Sequence, residues 1–203
     1  MPSEATISTV ESTAPRGGEI VSKSVQARWS SGLSFEAGGS FGGRVGLEGQ
    51  DGIDGLRPSE LVLVALAACA GMDVVSIVTK KRQVITSYEV QVHGEQSQGH
   101  PRTFTEIVME HQVEGRSIDD VAIARAIELS ATRYCVVTAQ LSSGDVRIRH
   151  RYRIRDAAGE RSAEVLVTGP RGALQETVAN AIRPVRPPAA SARRDRRSGR
   201  RGG

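Results

Sequence analysis

With 203 residues, 38% of them hydrophobic, the chain is long enough to bury one sizeable core and fits one domain with appendages. Aromatics make up only 3%, so that core must rest on Val, Ile, Leu and Ala. The net charge of +4 is unevenly placed, because eight Arg and one Asp from Arg183 onward give +7 and leave −3 for the rest; an acidic body with few aromatics for base stacking argues against nucleic acid as a partner.

Residues 1–20 are polar and carry no continuous apolar core, which argues against an export or transit peptide and predicts a disordered segment on a cytoplasmic protein. "IVSKSVQARWSSGLSFEAGG" then reads as one or two strands turning at Gly32. The glycine-rich "GGSFGGRVGLEGQDGIDG" marks turns and close backbone approaches. It lacks the strand-to-helix spacing of a dinucleotide fingerprint and the Gly-Lys-Ser/Thr of a phosphate loop.

"RPSELVLVALAACAGMDVVSIVTKKR" predicts a helix of about 24 residues, roughly 36 Å long. Pro58 and Ser59 supply first-turn and cap chemistry, and Glu60 suits the helix dipole. The apolar run at 61–78 is roughly long enough to span a bilayer, but Asp73 breaks it at a cost of several kcal/mol in lipid. A helix buried in protein, with no membrane partner, is the better reading. Its first half is apolar all round, more than one small domain can cover, which points to packing against a second subunit.

Two period-two segments follow. "SYEVQVHGE" sets Tyr88, Val90 and Val92 on one face, and "EIVMEHQV" alternates Ile107, Met109, His111 and Val113 with Val108, Glu110 and Gln112. "QSQGHPR" joins them as a hairpin loop. "GRSIDDVAIARAIELSATRYC" offers Ser117 as N-cap with Asp120 three residues on, and an apolar helical face of Val121, Ala124, Ile127 and Leu129. "VRIRHRYRIR" alternates strictly, placing Arg147, Arg149, Arg151, Arg153 and Arg155 on one side, a pattern that reads as a solvated edge resisting aggregation. The order of elements predicts an α+β fold with mainly antiparallel sheet. Residues 156–182 hold a possible short strand in "AEVLVTG" and a possible short helix in "ALQETVANAI", with their packing left open. Residues 183–203, rich in Pro, Ala, Ser and Arg, predict a disordered tail able to hold phosphates only loosely.

The chain has two cysteines, Cys69 in the apolar helix and Cys135 in "ATRYCVVTAQL". Each can be a small core residue or a working thiol. A standing structural disulfide does not suit a cytosolic protein. No C-x-x-C pair is present, and His93, His100, His111 and His150 lie singly, so ligand spacing predicts no metal site and no cofactor.

"RPSELVLVALAAC", followed by a helix and then "AIELSATRYCVV" and a terminal strand, resembles the osmotically inducible protein C and organic hydroperoxide resistance (OsmC/Ohr) family, closest to its OsmC-like branch. The resemblance covers residues 21–155. It implies an intertwined homodimer, with long central helices packed together, sheets wrapped around them and active sites at the subunit interface.

The activity it implies is a thiol-dependent peroxidase with a small organic hydroperoxide as substrate. Cys69 would attack the peroxide and become a sulfenic acid, Cys135 would condense with it to a disulfide, and a dihydrolipoyl-type dithiol would reset the pair. Because burial suppresses a thiolate, a cation must offset it, and the family uses an arginine held by a carboxylate. Glu60 and Arg57 are the candidates here, with Arg44 and Arg28 as further cations. Glu60 stands one place later than the acid of the hydroperoxide resistance branch, where this chain has Ser59, and Val136 replaces the usual proline after the second cysteine. Leu63, Leu66, Met72 and Val75 are candidates to line an aliphatic pocket. A non-catalytic OsmC-like protein that binds a small ligand or senses redox state is the alternative.

Overall fold

The computed structural model describes residues 22–50, 54–169 and 174–175. The expectations for residues 1–20 and for the tail at 183–203 fall outside them, as does most of "ALQETVANAI"; its two described residues, Leu174 and Gln175, pair with the preceding strand as a short strand and not as the expected helix. The chain divides into two compact units, Met1–Val62 and Leu63–Gly203.

The first unit carries a three-stranded antiparallel sheet of β1 (Val25–Ser31), β2 (Ser34–Gly39) and β3 (Arg44–Leu47), in that order. The β1–β2 turn requires Gly32, whose φ of +52° is left-handed. Sequence reasoning anticipated this hairpin and missed β3, because glycines at every second or third position hide a strand pattern. The glycine-rich passage contains a strand as well as turns. Ser34 Oγ donates to Glu48, as does the Gln50 N–H at 2.7 Å; these bonds hold the Glu48 carboxyl below the usual range.

The helix α1 (Pro58–Lys80) begins in the first unit and continues into the second. Its start carries one half of a capping box, with Arg57 as the N-cap, two residues before the expected Ser59. The Arg57 carbonyl accepts from Leu61 N–H at 2.9 Å, and Glu60 Oε2 accepts the Arg57 backbone N–H at 2.8 Å. By length and composition α1 could cross a bilayer, with mean hydropathy 2.4. One stripe of it, Leu66, Ala70, Val74 and Val78, is buried at the i, i+4 spacing of a helix face.

The second unit is built on a mixed sheet ordered β4 (Val84–Gln96), β5 (Phe104–Arg116), β6 (Arg147–Asp156), β7 (Gly159–Thr168) and β8 (Leu174–Gln175). Only β5 and β6 run parallel, because the segment between them crosses over through α2 (Asp120–Leu129), a π-helical turn (Ser130–Tyr134) and α3 (Val136–Ser142). Alternation places Ile107, Met109, His111 and Val113 of β5 and Ile148, His150, Tyr152 and Ile154 of β6 in the interior. Val74 and Val78 pack with Ile123, Ile127 and Ile154 in one cluster, while Leu66 and Ala70 pack with Ile107, Met109, Ile148 and Cys135 in another. The α+β, mainly antiparallel fold expected from the sequence is what forms.

Three local expectations are corrected. The N-cap of α2 is Asp119, whose side chain accepts from Val121 N–H at 2.9 Å, not Ser117. Ser117 has a φ of +49°, and the next amide, Ile118 N–H, goes to Asp156 at 2.9 Å, so the helix starts two residues later. Its buried face is then Ala122, Ile123, Ala126 and Ile127, and Val121 is exposed. Finally, β6 is a central strand. Its arginines pair with glutamates of both neighbours: Arg149 with Glu106 and Glu164, Arg151 with Glu164, Arg153 with Glu110 and Glu160, Arg155 with Glu114 and Glu160. The packing of "AEVLVTG", open in the sequence, is alongside β6 as β7.

Candidate functional site

Cys69 lies on α1 one turn before Asp73, on the same helix face. Cys135 stands at the start of α3, after the π-helical turn that ends α2. There its extended backbone serves as the α3 N-cap, and its Sγ accepts the Thr138 N–H at 3.4 Å. The two sulfurs and a carboxylate oxygen of Asp73 all lie within 4.8 Å of one another. Joining the sulfurs at disulfide length therefore requires them to move together by no more than about 3 Å. Ser130, in the π-helical turn, donates its hydroxyl to Asp73 Oδ2 at 3.0 Å.

The two thiols differ in environment. Cys135 is 2% exposed and Cys69 is half-buried. Burial pushes the Cys135 thiol up to about 11; the neighbouring Cys69 thiol acts the same way, and the Thr138 contacts oppose it. Cys135 is thus a neutral thiol behind a more accessible one.

Arg57 and Glu60 stand together at the start of α1 through the capping bond, which occupies one Glu60 oxygen. Arg44 pairs with Glu36 at 2.6 Å on the exposed face of the small sheet. Arg28 is on β1, opposite Glu36 in register. Of the expected pocket residues, Met72 and Val75 do border an open apolar cavity of about 600 Å3, with Ala67, Ala68, Gly71 and Tyr88. Leu66 does not; it is fully buried in the cluster that also holds Cys135, and Leu63 packs against that cluster. Sequence reasoning used Asp73 only as a break in an apolar run. The i, i+4 spacing from Cys69 was the signal that could have found it.

Residues 49–151 match the family model described as OsmC-like protein. Over 129 residues the chain is 37% identical to Protein YhfA of Escherichia coli K12, covering 64% of this chain and 96% of the relative. The chain belongs to the OsmC-like family. Among solved structures, the OsmC-like protein from Mycoplasma pneumoniae superposes with a TM-score of 0.59 at 17% identity, over 66% of this chain and 97% of that one. An organic hydroperoxide resistance protein OsmC from Legionella pneumophila superposes with a TM-score of 0.51 at 10% identity, over 67% and 98%. At these identities the structures share the fold with this OsmC-like chain.

Proposed function

We propose that this OsmC-like protein is a cytoplasmic, thiol-dependent peroxidase that reduces organic hydroperoxides to alcohols in a stress response. The observation that carries the reading is the pair Cys69 and Cys135, remote in sequence, with sulfurs within 4.8 Å. The Cys69 thiolate attacks the terminal peroxide oxygen; the O–O bond breaks, the alcohol leaves with a proton, and Cys69 becomes a sulfenic acid. Cys135 then condenses with it, forming the disulfide and releasing water. A dithiol of the dihydrolipoyl type takes up the oxidation and restores both thiols. The accessibility of Cys69 and the burial of Cys135 support this division of labour. Glu60 and Arg57 are the acid and cation assigned by resemblance to activate the thiolate.

A homodimer belongs to the same proposal. Val64, Met72 and Val75 leave an apolar side of α1 open to solvent, and a second copy of α1 is the occupant the family architecture supplies. A non-catalytic, ligand-binding or redox-sensing role is the second reading. The acid-position difference favours it, since this chain has Ser59 where the hydroperoxide resistance branch carries its acid.

The experiment is a thiol count after one equivalent of cumene hydroperoxide, on the parent, Cys69→Ser and Cys135→Ser. The expected result is loss of both thiols as an intrachain disulfide in the parent, retention of the remaining thiol in Cys69→Ser, and parent turnover with dihydrolipoamide. Thiols that remain reduced in the parent would transfer the protein to the second reading.

A further inference from the structure

We propose that the reduced Cys69 and Cys135, completed by Asp73, form a binding site for a thiophilic divalent cation, with Zn2+ as its ligand. No zinc-ligand spacing is visible in the sequence, but folding gathers two sulfurs and a carboxylate oxygen from α1 and the start of α3 within 4.8 Å of one another. In a tetrahedral zinc site, with Zn–S near 2.3 Å and Zn–O near 2.1 Å, such donors are separated by roughly 3.5–3.8 Å. The three groups need only a modest inward movement to reach that geometry.

Two further features fit a cation. Ser130, a buried residue, holds the Asp73 carboxylate through a 3.0 Å hydrogen bond, as an orienting group does for a ligating carboxylate. The charges also agree. Three donors that are anionic when deprotonated suit a divalent cation, which favours the deprotonated form of each thiol it binds. Binding releases two protons, one from each thiol, and joins both sulfurs to the ion. Three protein donors leave the fourth position open to water or a small ligand on the Cys69 side, the more exposed one. Closing the disulfide consumes both thiolates, so the oxidised chain has no site, and ion occupancy and disulfide formation exclude one another.

The inference rests on the assembled donors and not on the peroxidase reading, and its test uses no peroxide. Untagged, reduced full-length protein is titrated with Co2+ under argon, then with Zn2+ in competition with a chromophoric chelator. The expected result is a thiolate-to-cobalt charge-transfer band saturating at one ion per chain and displaced by Zn2+. Diamide-oxidised protein and Cys69→Ser should show no such binding. Asp73→Asn should weaken Zn2+ at least tenfold while its circular dichroism stays that of the parent. Absence of the band in folded, reduced protein, or Zn2+ affinity unchanged in Asp73→Asn, would overturn the site. A chain that binds the ion but ignores hydroperoxide counts against the peroxidase reading alone.

Discussion

The Tyr88 hydroxyl on β4 donates to Nδ1 of His111 on β5 at 2.6 Å. Burial raises the phenol and pushes His111 down to about 4, so the phenol keeps its proton and the imidazole is the neutral acceptor. His150 lies on the neighbouring strand, facing the same side, with Nε2 3.2 Å from Thr168 Oγ1. Burial, aided by His111, pushes it down to about 3.

Both histidines are thus neutral when folded and free to protonate when unfolded. Their folded values lie below the ordinary 6.5, so their contribution is complete above pH 6.5 and is lost as pH falls towards 4. Each adds a slope of up to about 1.4 kcal/mol per pH unit in that window. Urea unfolding at pH 7, 6 and 5 should show the midpoint falling steadily, with His111→Leu flattening the trend by about half. A midpoint constant from pH 7 to 5 would contradict the argument. Asp156, held down to about 2 chiefly by Arg161, acts in a separate window: its contribution is complete above 3.8 and is lost as pH falls from there through about 2.

The α2 cap offers a clean comparison between two nearby residues. Asp119→Ala removes the bond to Val121 N–H and should cost about 1 kcal/mol, read from chemical denaturation. Ser117→Ala, at the residue whose pattern imitates a cap, should not reproduce that loss; equal effects would mean the cap is misassigned.

At the start of α1, Glu60→Gln keeps an acceptor for the Arg57 amide and removes only the charge. Under the peroxidase proposal its melting temperature should stay at the parent value while hydroperoxide turnover drops by about tenfold or more, the scale of one charged group in a transition state. Unchanged turnover would leave Glu60 as a cap and nothing else.

Met72 is 72% exposed on the open apolar side of α1. A charge there should split the proposed dimer, so light scattering after size exclusion should give twice the chain mass for the parent and the single-chain mass for Met72→Glu. A parent that elutes as a monomer would remove the dimer from the proposal.

Strands β4, β5 and β6 were legible because their side chains alternate between two unlike faces, and period two survives in Ile107-Met109-His111-Val113 without knowledge of neighbours. The place of β6 was not. An arginine on every second residue looks like a solvated rim until Glu106, Glu110, Glu114, Glu160 and Glu164 are seen on the strands either side. Family resemblance singled out the cysteines, but no spacing rule could bring Cys69 to Cys135. Their approach depends on a crossover that sets the start of α3 against α1. Asp73 was hidden for the opposite reason, since its meaning comes from helical geometry around a residue already chosen. The α2 cap failed on a local conflict, with a left-handed Ser117 and an amide already committed to Asp156.

The glutamate and arginine columns of β5, β6 and β7 alternate in sign across the sheet, negative, positive, negative. Fields from such parallel stripes cancel with distance much faster than that of a lone basic column, and salt at physiological strength screens what is left within about 8 Å. A passing polyelectrolyte meets almost no potential over the most arginine-dense strand of the described structure, although its sequence, taken alone, has the look of a polycation.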